Sequence, residues 1–167
     1  MQYVFIDTCI YEEGQFVGSG TLKTLYDAAK EGYIRILLPD ITEREVLAHM
    51  DAKINAEKEK LEKHLSSIMK YLEPIRDRLE EIVTQSETAA QEMTDMFLKE
   101  LKSAKVCRLP LQEDLDFRSI VDAYFNKKPP FSQKKKSEFP DAIVLKSLEQ
   151  WCKVNKKNCI ILSNDND

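Results

Sequence analysis

Apolar positions along this chain fall into short blocks at its two ends and one long stripe between them. Tyr3-Val4-Phe5-Ile6 is β-branched and aromatic and stops at the polar pair Asp7-Thr8, the pattern of a buried strand with a carboxylate at its C-terminal end. A helical stretch follows over about residues 20 to 31, and Ile34-Arg35-Ile36-Leu37-Leu38-Pro39 repeats the strand signal. Asp40-Ile41-Thr42 then opens a helix, with Thr42 as the expected cap and Glu45 at capping-box spacing. Strand, helix, strand, helix predicts a parallel sheet.

Residues 51 to 105 break that rhythm. Leu61, Leu65, Ile68, Leu72, Ile75, Leu79, Ile82, Ala89, Met93 and Met96 follow 3-4 spacing amid Lys and Glu, a coiled-coil pattern. Pro74 lies inside the stripe and has no N–H to donate, so the segment is expected to fold as a helical hairpin, or as one long kinked helix, broken near Glu73-Pro74. The α/β rhythm resumes with a strand at Val106–Leu109 and a helix over Asp114–Phe125. A further helix is expected from Ser137 or Glu138 to about Lys153, and then a strand at Cys159–Leu162. The predicted fold is α/β: a three-layer parallel-sheet domain spanning residues 1 to 167, its core formed by 1–50 and 106–167, with a long helical hairpin inserted at 51–105. Because a strand ending in Ser163-Asn164-Asp165-Asn166-Asp167 ordinarily leads into another element, the chain is expected to be the N-terminal part of a longer protein, lacking its last strand and helix.

Composition narrows the class. With 43% hydrophobic and 32% charged residues, the chain is neither disordered nor fibrous. No stretch approaches the roughly 18 apolar residues of a membrane span, and Met1 to Asp7 lacks the marks of a signal peptide, so a cytoplasmic protein without membrane contact is expected. Cys9, Cys107, Cys152 and Cys159 form no Cys-x-x-Cys pair and stand far from His49 and His64, which argues against structural zinc or a disulfide framework. The net charge of −4 hides a local excess of the opposite sign. Lys127, Lys128, Lys134, Lys135 and Lys136 share one loop without an acid among them, and Phe131 lies between them.

Chemistry concentrates in four acids. Asp7 closes the first strand, Asp165 follows the last, and Glu45 and Asp141 lie in the first turns of their helices. In a parallel sheet those places share one edge, the edge at which open α/β sheets bind ligands. Clustered carboxylates need a cation, and an all-oxygen set selects Mg²⁺ or Mn²⁺, which would support phosphoryl transfer or phosphodiester hydrolysis. Each acid also has an ordinary reading, as turn former, capping partner or solvated tail. Glu43 competes with Glu45, which is preferred because it shares a face with Ile41, Ala48 and His49. Glu138, one turn before Asp141, is placed at the rim, and Asp167 is a secondary candidate in the terminal acidic run. The five lysines would hold phosphates that the acids repel, or form a solvated run; Phe131 would stack on an unpaired base, or plug the core.

Four blocks carry a family resemblance: Val4-Phe5-Ile6-Asp7-Thr8-Cys9, Leu38-Pro39-Asp40-Ile41-Thr42-Glu43-Arg44-Glu45-Val46, the run from Pro130-Phe131 to Asp141-Ala142, and Ile161-Leu162-Ser163-Asn164-Asp165. They resemble the signature blocks of PIN domains, most closely a bacterial PIN-like subgroup. The resemblance implies a Mg²⁺- or Mn²⁺-dependent nuclease, an endoribonuclease acting on RNA rather than DNA. It implies metal-binding and catalytic roles for Asp7, Glu45, Asp141 and Asp165, with Thr8 and Asn164 as neighbouring polar groups. A haloacid dehalogenase-type phosphotransferase also ends its first strand in Asp, but it needs a second Asp where this chain has Cys9. The remaining alternative is a non-catalytic PIN-like scaffold that binds RNA or a protein partner, or a second copy, through the helical arm.

Overall fold

Among the residues that the computed structural model describes, 1–71, 73–86, 88–131 and 138–164, strands β1 (Gln2–Ile6), β2 (Ile34–Pro39), β3 (Cys107–Leu109) and β4 (Cys159–Leu162) form one sheet in the order β3-β2-β1-β4. Every pairing is parallel, with Phe5 in register with Leu37 on one side and Ile161 on the other. The helices are α1 (Thr8–Glu13), α2 (Gly20–Lys30), α3 (Asp40–Ile68), α4 (Arg76–Ser86), α5 (Ala89–Ser103), α6 (Phe117–Phe125) and α7 (Phe139–Asn155). None is long and apolar enough to cross a membrane.

The alternation of side chains along each strand sorts the core into two faces. Val4, Ile6, Ile36 and Leu38 point one way and bury against Tyr11 of α1, Leu22 and Tyr26 of α2, Val46 and Met50 of α3, and Phe97 and Leu101 of α5. Phe5, Leu37 and Leu109 point the other way and meet Val144 and Leu148 of α7. At about 1.5–3 kcal/mol for each fully buried large apolar side chain, these two faces are the main source of stability. The result is the expected three-layer α/β architecture. One buried polar side-chain atom is unsatisfied: the Tyr11 hydroxyl is fully buried and has no hydrogen-bond partner among the described residues.

The path of the chain sets up the site. Stepping from β1 to β2 to β3, the chain crosses over the first face through α1 to α5; returning to β4, it crosses the second face through α6 and α7. That reversal, between β1 and β4, opens a crevice at the carboxyl ends of the two strands. Gly14 lets the first crossover turn tightly, since a Cβ there would stand 2.4 Å from Leu22 Cβ.

Three local expectations change. The short helix α1 begins directly after Asp7, whose side chain accepts from the Thr8 N–H, and the apolar pattern gave no sign of it. Thr42 does not cap α3: the helix starts at Asp40 straight from the strand, Pro39 holds the cap position with φ −59°, and Thr42 is 1% exposed inside the first turn. Glu45 is therefore not a capping partner. The helix expected from Asp114 starts instead at Phe117, because Asp116 caps it by accepting from the Ser119 N–H at 3.1 Å. The stripe at 51–105 does break near Pro74, at a 3-10 turn over Glu73–Ile75, and breaks again between α4 and α5. Leu65 is buried, whereas Ile68, Ile75, Ile82 and Met96 remain exposed.

Candidate functional site

Asp7 is the best-fixed carboxylate at the crevice. Its backbone N–H extends the β1–β4 ladder by donating to Leu162 O at 2.9 Å. Its Oδ1 accepts from the Thr8 N–H at 2.7 Å, and its Oδ2 accepts from the Ser163 hydroxyl beyond β4. Cys9 Sγ, at 3.4 Å, also faces Oδ2. The carboxylate is thus oriented by α1 and by the residue that follows β4.

Glu45 arrives from the first turns of α3, and Thr8 Oγ1 donates to its Oε2 at 3.3 Å. Burial raises its proton affinity, and the field of Asp7 adds to that. Asp141 arrives from the first turn of α7. Burial, a hydrogen bond with Glu138, and the fields of Glu138, Glu45 and Asp7 push its carboxyl up to about 7. Burial is the largest of these causes, and the fields of Glu45 and Asp7 reach Asp141 from two other elements. Glu43, the rival of Glu45, is turned to the other side, where Arg108 holds it with Nε at 2.8 Å and Nη2 at 2.9 Å.

Asp7, Thr8, Asp141 and Asn164 line a cleft of about 590 Å³. Asn164 donates its side-chain amide to Glu13 Oε2 at 2.6 Å, and Glu138 stands at the N-cap of α7 beside Asp141. Other cleft residues were not singled out in the sequence: Cys9, Glu12, Glu13, His49 and Lys53. Glu12 accepts from Lys53 and is paired with His49 Nδ1. A signal for the last group exists in retrospect, since Glu45, His49 and Lys53 repeat every four residues and so form one stripe on α3.

Phe131 is not available for stacking. It is 3% exposed and packs on Tyr124 at 5.4 Å and Phe139 at 4.9 Å between centroids, with Leu115, Ile120 and Ala142 around it. It plugs the core beneath α6 and α7, the other of its two expected roles. Lys127 and Lys128 are exposed at the end of α6 and are not among the cleft-lining residues. Lys134, Lys135, Lys136, Asp165 and Asp167 lie outside the described residues.

Among the described residues, no three His, Cys, Asp or Glu side chains are gathered into a group that could hold a metal ion by themselves. The donor chemistry nevertheless suits a hard divalent cation: Asp7, Glu45 and Asp141 offer carboxylate oxygens, and burial raises the proton affinity of Glu45 and Asp141. A family model described as PIN domain matches residues 4–167. No curated protein and no solved structure matches the chain.

Proposed function

The chain belongs to the PIN domain family, and we propose that it is a Mg²⁺- or Mn²⁺-dependent endoribonuclease whose metal is held by Asp7, Glu45, Asp141 and Asp165. The observation that carries the reading is that Asp7, at the crevice between β1 and β4, is joined through Thr8 to Glu45, and that the fields of both reach Asp141 in the wall of the same cleft. PIN domains are in general metal-dependent nucleases, and this chain keeps acids on the matching elements. Bound there, the metal would activate a water and neutralise charge on the phosphate.

The chain's own residues supply the rest. Thr8 N–H and Ser163 Oγ fix Asp7, so that one carboxylate direction is set before any ligand arrives. Thr8 Oγ1 ties Glu45 to the same point. Glu138 shares a hydrogen bond with Asp141 and adds to the rise in its proton affinity. Asn164, held by Glu13, forms part of the cleft wall.

Two measurements test this. MnCl₂ should raise the melting temperature of the protein, because a ligand that binds only the native state stabilises it. A labelled single-stranded RNA should be cut in MnCl₂, and Asp7→Asn should abolish cutting while the variant stays folded; a matched DNA strand decides between the two nucleic acids. A variant that cuts as fast as the parent protein rejects the site. A second reading, a non-catalytic scaffold, draws on exposed Ile68, Ile75 and Ile82 along the arm, which offer an apolar strip to a protein partner or a second copy. Absence of any Mn²⁺ stabilisation favours it.

A further inference from the structure

We propose that Lys53 and His49, held in place by Glu12, form a subsite for a backbone phosphate adjacent to the acidic edge, so that a bound single strand leaves the site along α3. The inference deepens the nuclease reading and rests on it for the direction of the strand, but its binding chemistry can be measured independently.

Charge is the first argument. The lining of the cleft includes Asp7, Glu12, Glu13 and Asp141, and among the described lining residues Lys53 is the only ammonium and His49 the only imidazole. A polyanion entering that cleft needs donors on the wall, since most protein contacts to a nucleic-acid strand go to phosphate. Of the described lysines of the loop at 127–136, Lys127 and Lys128 do not supply them, because neither is part of the lining.

Geometry is the second. His49 and Lys53 stand one and two turns beyond Glu45 on the same stripe of α3, so the donors lead away from the acids in line. Lys53 does not move freely: its ammonium is over the Phe16 ring, 5.6 Å from the centroid, and bonded to Glu12. An ammonium has three donors, and Glu12 takes one. His49 likewise gives only Nδ1 to Glu12, and its Nε2 has no partner among the described residues. Glu12 thus orients both side chains and leaves Lys53 with donors to spare and the second ring nitrogen of His49 open.

The competing role, a staple between α1 and α3, explains less. Tyr11, Val46 and Met50 already pack these helices together in the core. The Lys53 and His49 side chains are 54% and 52% exposed, and ion pairs that open to solvent contribute little to folding.

The test uses the whole chain and a fluorescein-labelled octauridylate, with binding read by anisotropy in EDTA between 25 and 200 mM NaCl. Lys53→Gln should weaken binding at low salt by about tenfold, the effect of one charge-assisted contact, and should flatten the log–log salt slope by about 0.7. His49→Gln should weaken binding to a lesser degree, and Lys53→Arg should restore both affinity and slope. In a cleavage assay with MnCl₂, Lys53→Gln should raise KM more than it lowers kcat. An unchanged affinity and slope in Lys53→Gln overturns the proposal, as does a parent protein that fails to bind the probe at 25 mM NaCl. Lys53-dependent binding without any Mn²⁺-dependent cutting leaves the phosphate subsite standing and removes the nuclease reading instead. Cutting that proceeds with an unaltered KM in Lys53→Gln does the reverse.

Discussion

Arg108 on β3 grips Glu43 on α3 through two guanidinium nitrogens, and this pairing assigns the two neighbouring glutamates of α3 to different tasks. Glu43 faces the sheet edge at β3, whereas Glu45, two residues on, faces Thr8 and the field of Asp7. Glu43→Gln is expected to lower stability by no more than about 1 kcal/mol, because Arg108 is half exposed, and to keep the full Mn²⁺ stabilisation. Glu45→Gln should keep or raise the melting temperature without metal and lose the Mn²⁺ effect. Paired thermal melts with and without MnCl₂ decide; the opposite pattern would exchange the two assignments.

Asp141 makes the metal-free protein sensitive to alkali. Burial, Glu138, Glu45 and Asp7 raise its carboxyl from the ordinary 3.8 to about 7. A folded-state value above the unfolded one means that the stability associated with the proton is fully present below about 3.8 and is lost as pH rises through about 7. In EDTA the parent protein should therefore lose more melting temperature between pH 5 and pH 8 than Asp141→Asn does. Superimposable pH profiles for the two proteins would contradict this.

Tyr11 carries a hydroxyl that is fully buried and has no partner among the described residues, inside the cluster that joins α1, α2, α3 and α5. Its ring packs edge-on against Phe97, with centroids 6.0 Å apart. Tyr11→Phe keeps that contact and removes an unsatisfied polar atom, so it should stabilise the protein by about 1 kcal/mol. Urea denaturation gives the number, and a destabilised variant would show that the hydroxyl has a role in folding.

Phe131 should behave as a core residue in every assay. Phe131→Ala is expected to cost about 3–5 kcal/mol, the range for a buried aromatic, while Phe131→Leu costs less. The octauridylate affinity of the folded Phe131→Leu protein should match that of the parent. Reduced affinity at unchanged stability would return the ring to the nucleic-acid surface.

The arm and the core share material. Phe97 and Leu101 of α5 are buried against β1 and β2, and Met93 packs on the same cluster. Deleting residues 55 to 102 should therefore unfold the chain, whereas Ile75→Ser and Ile82→Ser, at exposed positions, should leave its melting temperature within a degree or two. Circular dichroism on the three proteins makes the comparison.

The strands were readable in the sequence for a physical reason: a parallel strand buried on both faces is apolar at nearly every position, as at 3–6 and 34–39, and the run at 159–162 is equally apolar although, at the sheet edge, it leaves Ile160 and Ile161 exposed. Once the strands were placed, their polar ends marked the edge at which the charges of Asp7 and Glu45 reach Asp141. What escaped depends on partners far along the chain. Thr42 has the local spacing of a cap, but the strand-to-helix passage through Pro39 carries the helix start past it and into the core. Phe131 lies among lysines and prolines, and its burial is decided by Tyr124 and Phe139. Glu12 meets His49 and Lys53 only because α1 is laid against α3, and α1 itself, six residues long, is too short to display a period.

The 29-residue helix α3 begins at the site and ends out on the arm, so one rod of about 44 Å carries Glu45, His49, Lys53 and Leu65. Rotational phase is therefore conserved along its whole length. Inserting a single residue between Lys53 and Leu65 would swing everything beyond it by about 100° around the axis, detaching the arm from α5 or twisting the stripe away from the crevice. Only additions close to a whole number of turns keep both ends aligned. Length is free to drift beyond Ile68, at the tip of the arm, while the stretch from Asp40 to Leu65 behaves as a ruler with fixed marks.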